Sequence, residues 1–168
     1  MKKPTQQATN LQQQSATRRL VQAAVIACIY SAVTFFLAPL SYGPMQVRVS
    51  EALTVLPALT PMGIPGLTLG CLVANLLGPY GAIDAVLGTL ATGIGALLSR
   101  ALRGHDLLVP LPPVLVNGLL VGGMLHYAYG VPGLWACCGW VAAGQLLACY
   151  LLGYPLLQIL KKHKDVLR

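Results

Sequence analysis

The eleven Lys and Arg residues of this chain fall into a few clusters separated by long apolar stretches, and that spacing restricts the fold more than any single motif. Lys2, Lys3, Arg18 and Arg19 precede the first apolar run, Arg100 and Arg103 share one connecting segment, and Lys161, Lys162, Lys164 and Arg168 close the chain. Arg48 alone stands apart. A surface for single-stranded nucleic acid would set its cations along a groove and interleave them with aromatic rings, so nucleic acid is not an expected partner. Cations gathered at the ends of apolar runs are the positive-inside pattern of a membrane protein. Composition agrees: 56% of the 168 residues are hydrophobic and 9% charged, where a soluble domain carries about 25% charged residues.

Residues 1–17 are polar and rich in Gln and Thr, and read as a disordered cytoplasmic tail. Leu20 to Leu37 is an unbroken apolar run ended by Pro39, which predicts a transmembrane helix over 18–38, long enough for a hydrocarbon core of about 30 Å. The long polar lead-in and the comparable spans that follow argue against a signal peptide. Further helices are expected over 48–60, 64–78, 83–101, 107–129 and 133–160. The second is short and contains Pro57, which is tolerable where neighbours shield it. The segment MGIPG reads as a tight turn before the third helix. Pro110, Pro112 and Pro113 fall near the start of the fifth, where a missing N–H costs least.

The pattern predicts an all-α, multi-pass protein of the cell membrane with six transmembrane helices over 18–160 and a basic tail over 161–168. Six spans place both termini on one side, and the basic clusters make that side cytoplasmic. The connections 39–47, 79–84 and 129–132 are then external.

Ionisable side chains inside a membrane cost about 2.5–3.5 kcal/mol each on insertion scales, so each needs a reason. Asp106 and Asp165 fall in expected cytoplasmic segments. Glu51 and Asp84 fall near the outer ends of helices, and Arg48 lies three residues before Glu51, on the same helical face. Asn75 and Asn117 sit deeper in the third and fifth helices, Gln145 inside the sixth, and His126 in the outer half. Tyr42 lies in the Pro- and Gly-rich loop before Arg48, placed to stack on a flat ligand. Two readings remain open: these groups knit helices together, or they line an outward-facing ligand site capped by the 39–47 loop. Small residues at four-residue spacing (Gly66, Gly70, Ala74 and Gly78; Gly118 and Gly122; Ala23 and Ala27) let helix backbones approach closely.

Cys28, Cys71, Cys137, Cys138 and Cys149 all fall inside apolar runs, no C-x-x-C occurs, and the histidines are far apart. No metal site, cofactor or disulfide framework is expected. There is no H-E-x-x-H, G-x-S-x-G or P-loop, so an enzyme is not expected and uphill transport would need a partner or an ion gradient. The two halves do not match as they do in many secondary transporters. A binding subunit fits better.

Three blocks in order, APLSYGPMQVRVSEALTVLP, PGLTLGCLVANLLGPYGAIDAVLGTLAT and PLPPVLVNGLLVG, resemble the QueT-type queuosine-precursor transporter family, the substrate-binding S components of energy-coupling factor (ECF) transporters. The likeness covers residues 18–160. It implies a six-helix S-component bundle whose outward pocket is capped by the loop between the first two helices. It implies a 7-deazaguanine cargo, either queuine or an aminomethyl or cyano precursor. The implied partners are a transmembrane coupling protein and two ATPase subunits, docked through an A-x-x-x-A patch that Ala23 and Ala27 match, with Ala24, Cys28 and Ala32 alongside.

Under this resemblance Glu51 accepts the ring N–H and exocyclic amine in a two-pronged way. Asn75 and Asn117 serve the ring carbonyl or the pyrrole N–H. Asp84 holds a cationic side arm or anchors Arg48, and Gln145 stands where many relatives are expected to carry a glutamate. An S component for another vitamin or nucleobase, and a structural membrane protein without transport, remain the alternatives.

Overall fold

The computed structural model describes residues 6–42 and 47–163, with side chains from residue 16 onward. The middle of the expected capping loop, 43–46, and the last residues of the basic tail, 164–168, lie outside the described residues. Every described element is helical: α1 (Gln6–Phe36), α2 (Ala38–Ser41), a 3₁₀ segment (Val49–Val55), α3 (Leu56–Leu59), α4 (Gly63–Leu76), α5 (Gly81–Ala101), α6 (Leu111–Tyr127), α7 (Leu134–Leu146), a π-helical segment (Leu147–Gly153) and α8 (Tyr154–Lys162).

Three sequence expectations need correction. The helix over the first span reaches back to Gln6, through the part of the N-terminal segment expected to be disordered. Gln, Ala and Leu are good helix formers, and no Pro or Gly interrupts residues 6–36. MGIPG is not a turn between helices, because α4 already starts at Gly63; Pro65 falls in its first turn, where the backbone N–H would have no partner. The fifth helix starts at Leu111, with Pro110 as its N-cap, so the prolines define its beginning.

Three helical runs are long and apolar enough to cross a membrane: Ala16–Phe36, Gly81–Ala101 and Leu134–Lys162. Val49–Leu59, Gly63–Leu76 and Leu111–Tyr127 are apolar but shorter. The surface is what lipid requires and water would not tolerate, with Phe36, Leu76, Leu97, Leu119, Trp135 and Leu151 all exposed.

Packing runs in sequence from α1 to α4, α4 to α5, α5 to α6 and α6 to α7. The 3₁₀ segment sits inside this arc against α1, α5, α8 and the π segment, with Ser50, Glu51, Ala52, Thr54 and Val55 all buried. The small-residue stripes set the close approaches. A Cβ on Gly66 would lie 2.9 Å from the Ala23 carbonyl oxygen, one on Gly70 2.8 Å from that of Ala27, and one on Gly122 2.5 Å from Cys138 Cα.

Ala23 is 6% exposed and Ala27 half-buried, and the backbone of both packs against α4. The small-residue line that α1 leaves exposed is Ala24, Cys28 and Ala32.

Candidate functional site

The 3₁₀ segment and its N-cap carry two buried charges that take different hydrogen-bond partners. Arg48, its N-cap, has an extended backbone and sends its guanidinium to Asp84 in the first turn of α5, with Nη2 3.2 Å from Oδ2 and 3.5 Å from Oδ1. Glu51 Oε1 accepts hydrogen bonds from the Tyr30 hydroxyl of α1 and from Thr92 Oγ1 of α5, the latter at 3.1 Å. Its Oε2 lies 3.5 Å from Asn117 Nδ2 of α6.

Between the two carboxylates stand Cys71 and Asn75, one helical turn apart on α4. Asn75 Nδ2 donates to the Asp84 carbonyl at 3.0 Å and lies 3.3 Å from Cys71 Sγ. Thr92 Oγ1 is also 3.3 Å from that sulfur. The cluster is dry by exposure: Glu51 is 1% exposed and Asp84 0%. Buried polar atoms are normally paired, yet Asn75 Oδ1 and Arg48 Nε have no hydrogen-bond partner. Beside them is Gly88, where a Cβ would lie 2.7 Å from Asn75 Nδ2 and 3.1 Å from Asp84 Oδ1. Glycine is what lets α5 approach these groups.

The backbone around Glu51 is held from behind by the π segment. Cys149 Sγ donates to the Glu51 carbonyl at 3.6 Å and lies 3.7 Å from Thr54 Oγ1. Thr34 Oγ1 and Ser50 Oγ, 2.6 Å apart, join α1 to the same segment. Irregular backbone at membrane depth is tolerated where protein surrounds it, and here the 3₁₀ and π segments cover each other.

Above Arg48 three tyrosines link three loops. Tyr42 donates to the Ala74 carbonyl at 2.6 Å, Tyr80 to the Tyr42 carbonyl at 2.8 Å, and Tyr129 to the Tyr80 carbonyl at 2.7 Å. The Arg48 guanidinium lies 5.5 Å from the Tyr42 ring centroid, within cation–π range. At the other end of the bundle Lys161 and Gln158 reach Asp106 and Arg100 Nη1 donates to the Pro57 carbonyl at 2.9 Å.

Of the residues singled out in the sequence, Arg48, Glu51, Asn75, Asp84 and Asn117 converge on this one cluster, with Tyr42 over it. Gln145 is buried on α7 and reaches the cluster only through Cys149, whose Sγ is 3.5 Å from Gln145 Oε1. His126 is turned away, with Nδ1 2.8 Å from the Val131 carbonyl. Sequence reasoning missed Tyr30, Cys71, Thr92, Tyr80 and Tyr129. Two of these were within reach, because Asp84, Gly88 and Thr92 fall on one line at four-residue spacing, as do Cys71 and Asn75.

An apolar helical protein with a dry polar cluster closed at one end is a common enough architecture, and comparison with known proteins decides between its uses. Residues 20–162 match the sequence profile of the QueT transporter. The chain belongs to the QueT transporter family. That family is one of transporters, and the long apolar helices of this chain suit a membrane. This QueT-family chain is similar to the queuosine precursor transporter QueT of Lactococcus lactis subsp. cremoris (strain MG1363), with 34% identity over 90 residues. That match takes in 50% of this chain and 53% of the relative, so it spans about half the length of each. No solved structure matches the chain.

Proposed function

We propose that this chain is the substrate-binding S component of an ECF transporter, capturing a queuosine precursor of the 7-deazaguanine class from outside the cell. Six helical passes place both termini in the cytoplasm, and the Tyr42–Tyr80–Tyr129 end faces outward. The clustering of Arg18, Arg19, Arg100, Arg103, Lys161 and Lys162 at the other end supports that orientation. A transmembrane coupling protein and two ATPases supply the energy.

One observation carries the reading: among the described residues Glu51 is a buried carboxylate with no cationic partner, since Arg48 pairs with Asp84. Its hydrogen bonds come from hydroxyl and amide donors. A cargo presenting adjacent N–H donors supplies what this carboxylate lacks. Asn75 and Asn117 serve the ring carbonyl and pyrrole N–H, Tyr42 covers the ring face, Asp84 anchors Arg48, and Gln145 supports the site from behind.

Purified protein should bind a 7-deazaguanine saturably, and mass spectrometry should recover one as a co-purifying molecule. Glu51→Gln should weaken binding about ten- to a hundred-fold, the worth of hydrogen bonds to a charged group. Equal binding by wild type and Glu51→Gln would remove the cargo assignment.

A further inference from the structure

Neither oxygen of the Glu51 carboxylate is in the same state. Oε1 receives two hydroxyl donors, Tyr30 from α1 and Thr92 from α5, which occupy the two lone-pair directions of an sp² oxygen. Oε2 receives only Asn117 Nδ2, at the 3.5 Å limit of a hydrogen bond. Tyr30 is 0% exposed and Thr92 1%, so neither hydroxyl is exchanged for water. Both side chains sit on long helices packed into the bundle, whereas Glu51 sits on a short 3₁₀ segment, so the helices fix the carboxylate and not the reverse.

We infer that Tyr30 and Thr92 are positioning residues that commit Oε1 of Glu51 to the protein and present Oε2 alone to the cargo. This rests on the deazaguanine reading and changes its chemistry. A ring N–H and exocyclic amine that fell on separate oxygens would meet an Oε1 already filled. On Oε2 the two donors share one acceptor, and a cargo with only one of them still satisfies it. The exocyclic amine is then a weak determinant of affinity. Thr92 is the more readily released of the two, because Cys71 Sγ at 3.3 Å offers its hydroxyl another acceptor.

The test compares 7-aminomethyl-7-deazaguanine with its analogue lacking the 2-amino group, both titrated into the purified full chain in detergent. Wild type should prefer the amino form by less than about tenfold, the worth of one ordinary hydrogen bond. Thr92→Val leaves an empty acceptor on Oε1 and should raise that preference by about tenfold, and Thr92→Ser should return it to the wild-type value. A merely structural role for Thr92 would weaken both ligands together and leave their ratio unchanged.

A wild-type ratio above about a hundredfold, or an unchanged ratio in Thr92→Val, overturns the inference while leaving the cargo class standing. Failure of wild type to bind either probe overturns the cargo class and the inference with it. A reading without ligand comes from infrared difference spectra, with Glu51→Gln identifying the carboxylate bands. Thr92→Val should shift the Glu51 antisymmetric stretch, and an unshifted band overturns the assignment of Oε1.

Discussion

Replacing Asp84 by Asn tests the Arg48–Asp84 pair with almost no change of shape. The two side chains are 4% and 0% exposed and approach to 3.2 Å, so Asp84→Asn leaves a guanidinium in the interior without its counter-ion. Breaking a buried pair from one side costs about 3–5 kcal/mol. For a chain of 168 residues, about 2–4 °C of melting temperature per kcal/mol turns this into a fall of about 6–20 °C. The double substitution Arg48→Met with Asp84→Leu removes both charges and keeps the volume. Replacements of that kind are often neutral or stabilising, so it should melt within a few degrees of wild type. Thermal unfolding in one detergent, followed for all three proteins, gives the comparison. A single variant within about 3 °C of wild type, or a double variant no better than the single one, would refute the account of the pair as a buried charge-neutral unit.

The helix contacts make sharper predictions than the polar groups do. Gly122→Ala places a methyl 2.5 Å from Cys138 Cα, whereas Gly123→Ala meets nothing within 4 Å; thermal unfolding should show about 1–3 kcal/mol lost in the first and a gain of about 0.5–1 kcal/mol in the second, a mid-helix glycine given a side chain. Ala23→Leu enlarges a buried side chain on α1 and should destabilise the protein itself. Ala24→Leu with Cys28→Leu alters only the exposed line of α1, so folding and ligand binding should persist while ATP-driven uptake is lost; uptake at the wild-type rate would remove this line from the docking surface.

What the sequence revealed and what it hid divide along physical lines. Membrane class, helix order and the members of the polar cluster were legible because charges in an apolar chain are rare and expensive, so Arg48, Glu51 and Asp84 announce themselves. Helix ends were less legible: Pro65 and Pro110 look like breakers, yet they initiate α4 and α6. The Arg48–Asp84 pair was one of the two roles expected of Asp84, but the partners of Glu51 were hidden. Arg48 and Glu51 are close in sequence and share a 3₁₀ segment, but the first finds Asp84 and the second Tyr30, a choice made by α1 and α5 after folding. Tyr30 and Thr92 carry no charge to advertise them. The Ala23–Ala27 pair shows that a small-residue stripe says only that something comes close, and α4 is one such neighbour.

A structural account of the cluster explains part of it and then stops. Knitting helices requires satisfied groups, and the Arg48–Asp84 pair, the Asn75 amide on the Asp84 carbonyl and the Thr34–Ser50 contact meet that requirement. It does not require a second carboxylate in the same dry volume, where an apolar side chain or an amide would cost less. Nor does it require Asn75 Oδ1 and Arg48 Nε to be left without partners, at about 1–3 kcal/mol each. The unpaired atoms belong to Arg48, beneath the Tyr42 ring, and to Asn75, beside Gly88, the described glycine where a methyl would strike Asn75 and Asp84 together. Under the proposed function, a second carboxylate and unused hydrogen-bonding capacity are what a donor-rich cargo would engage.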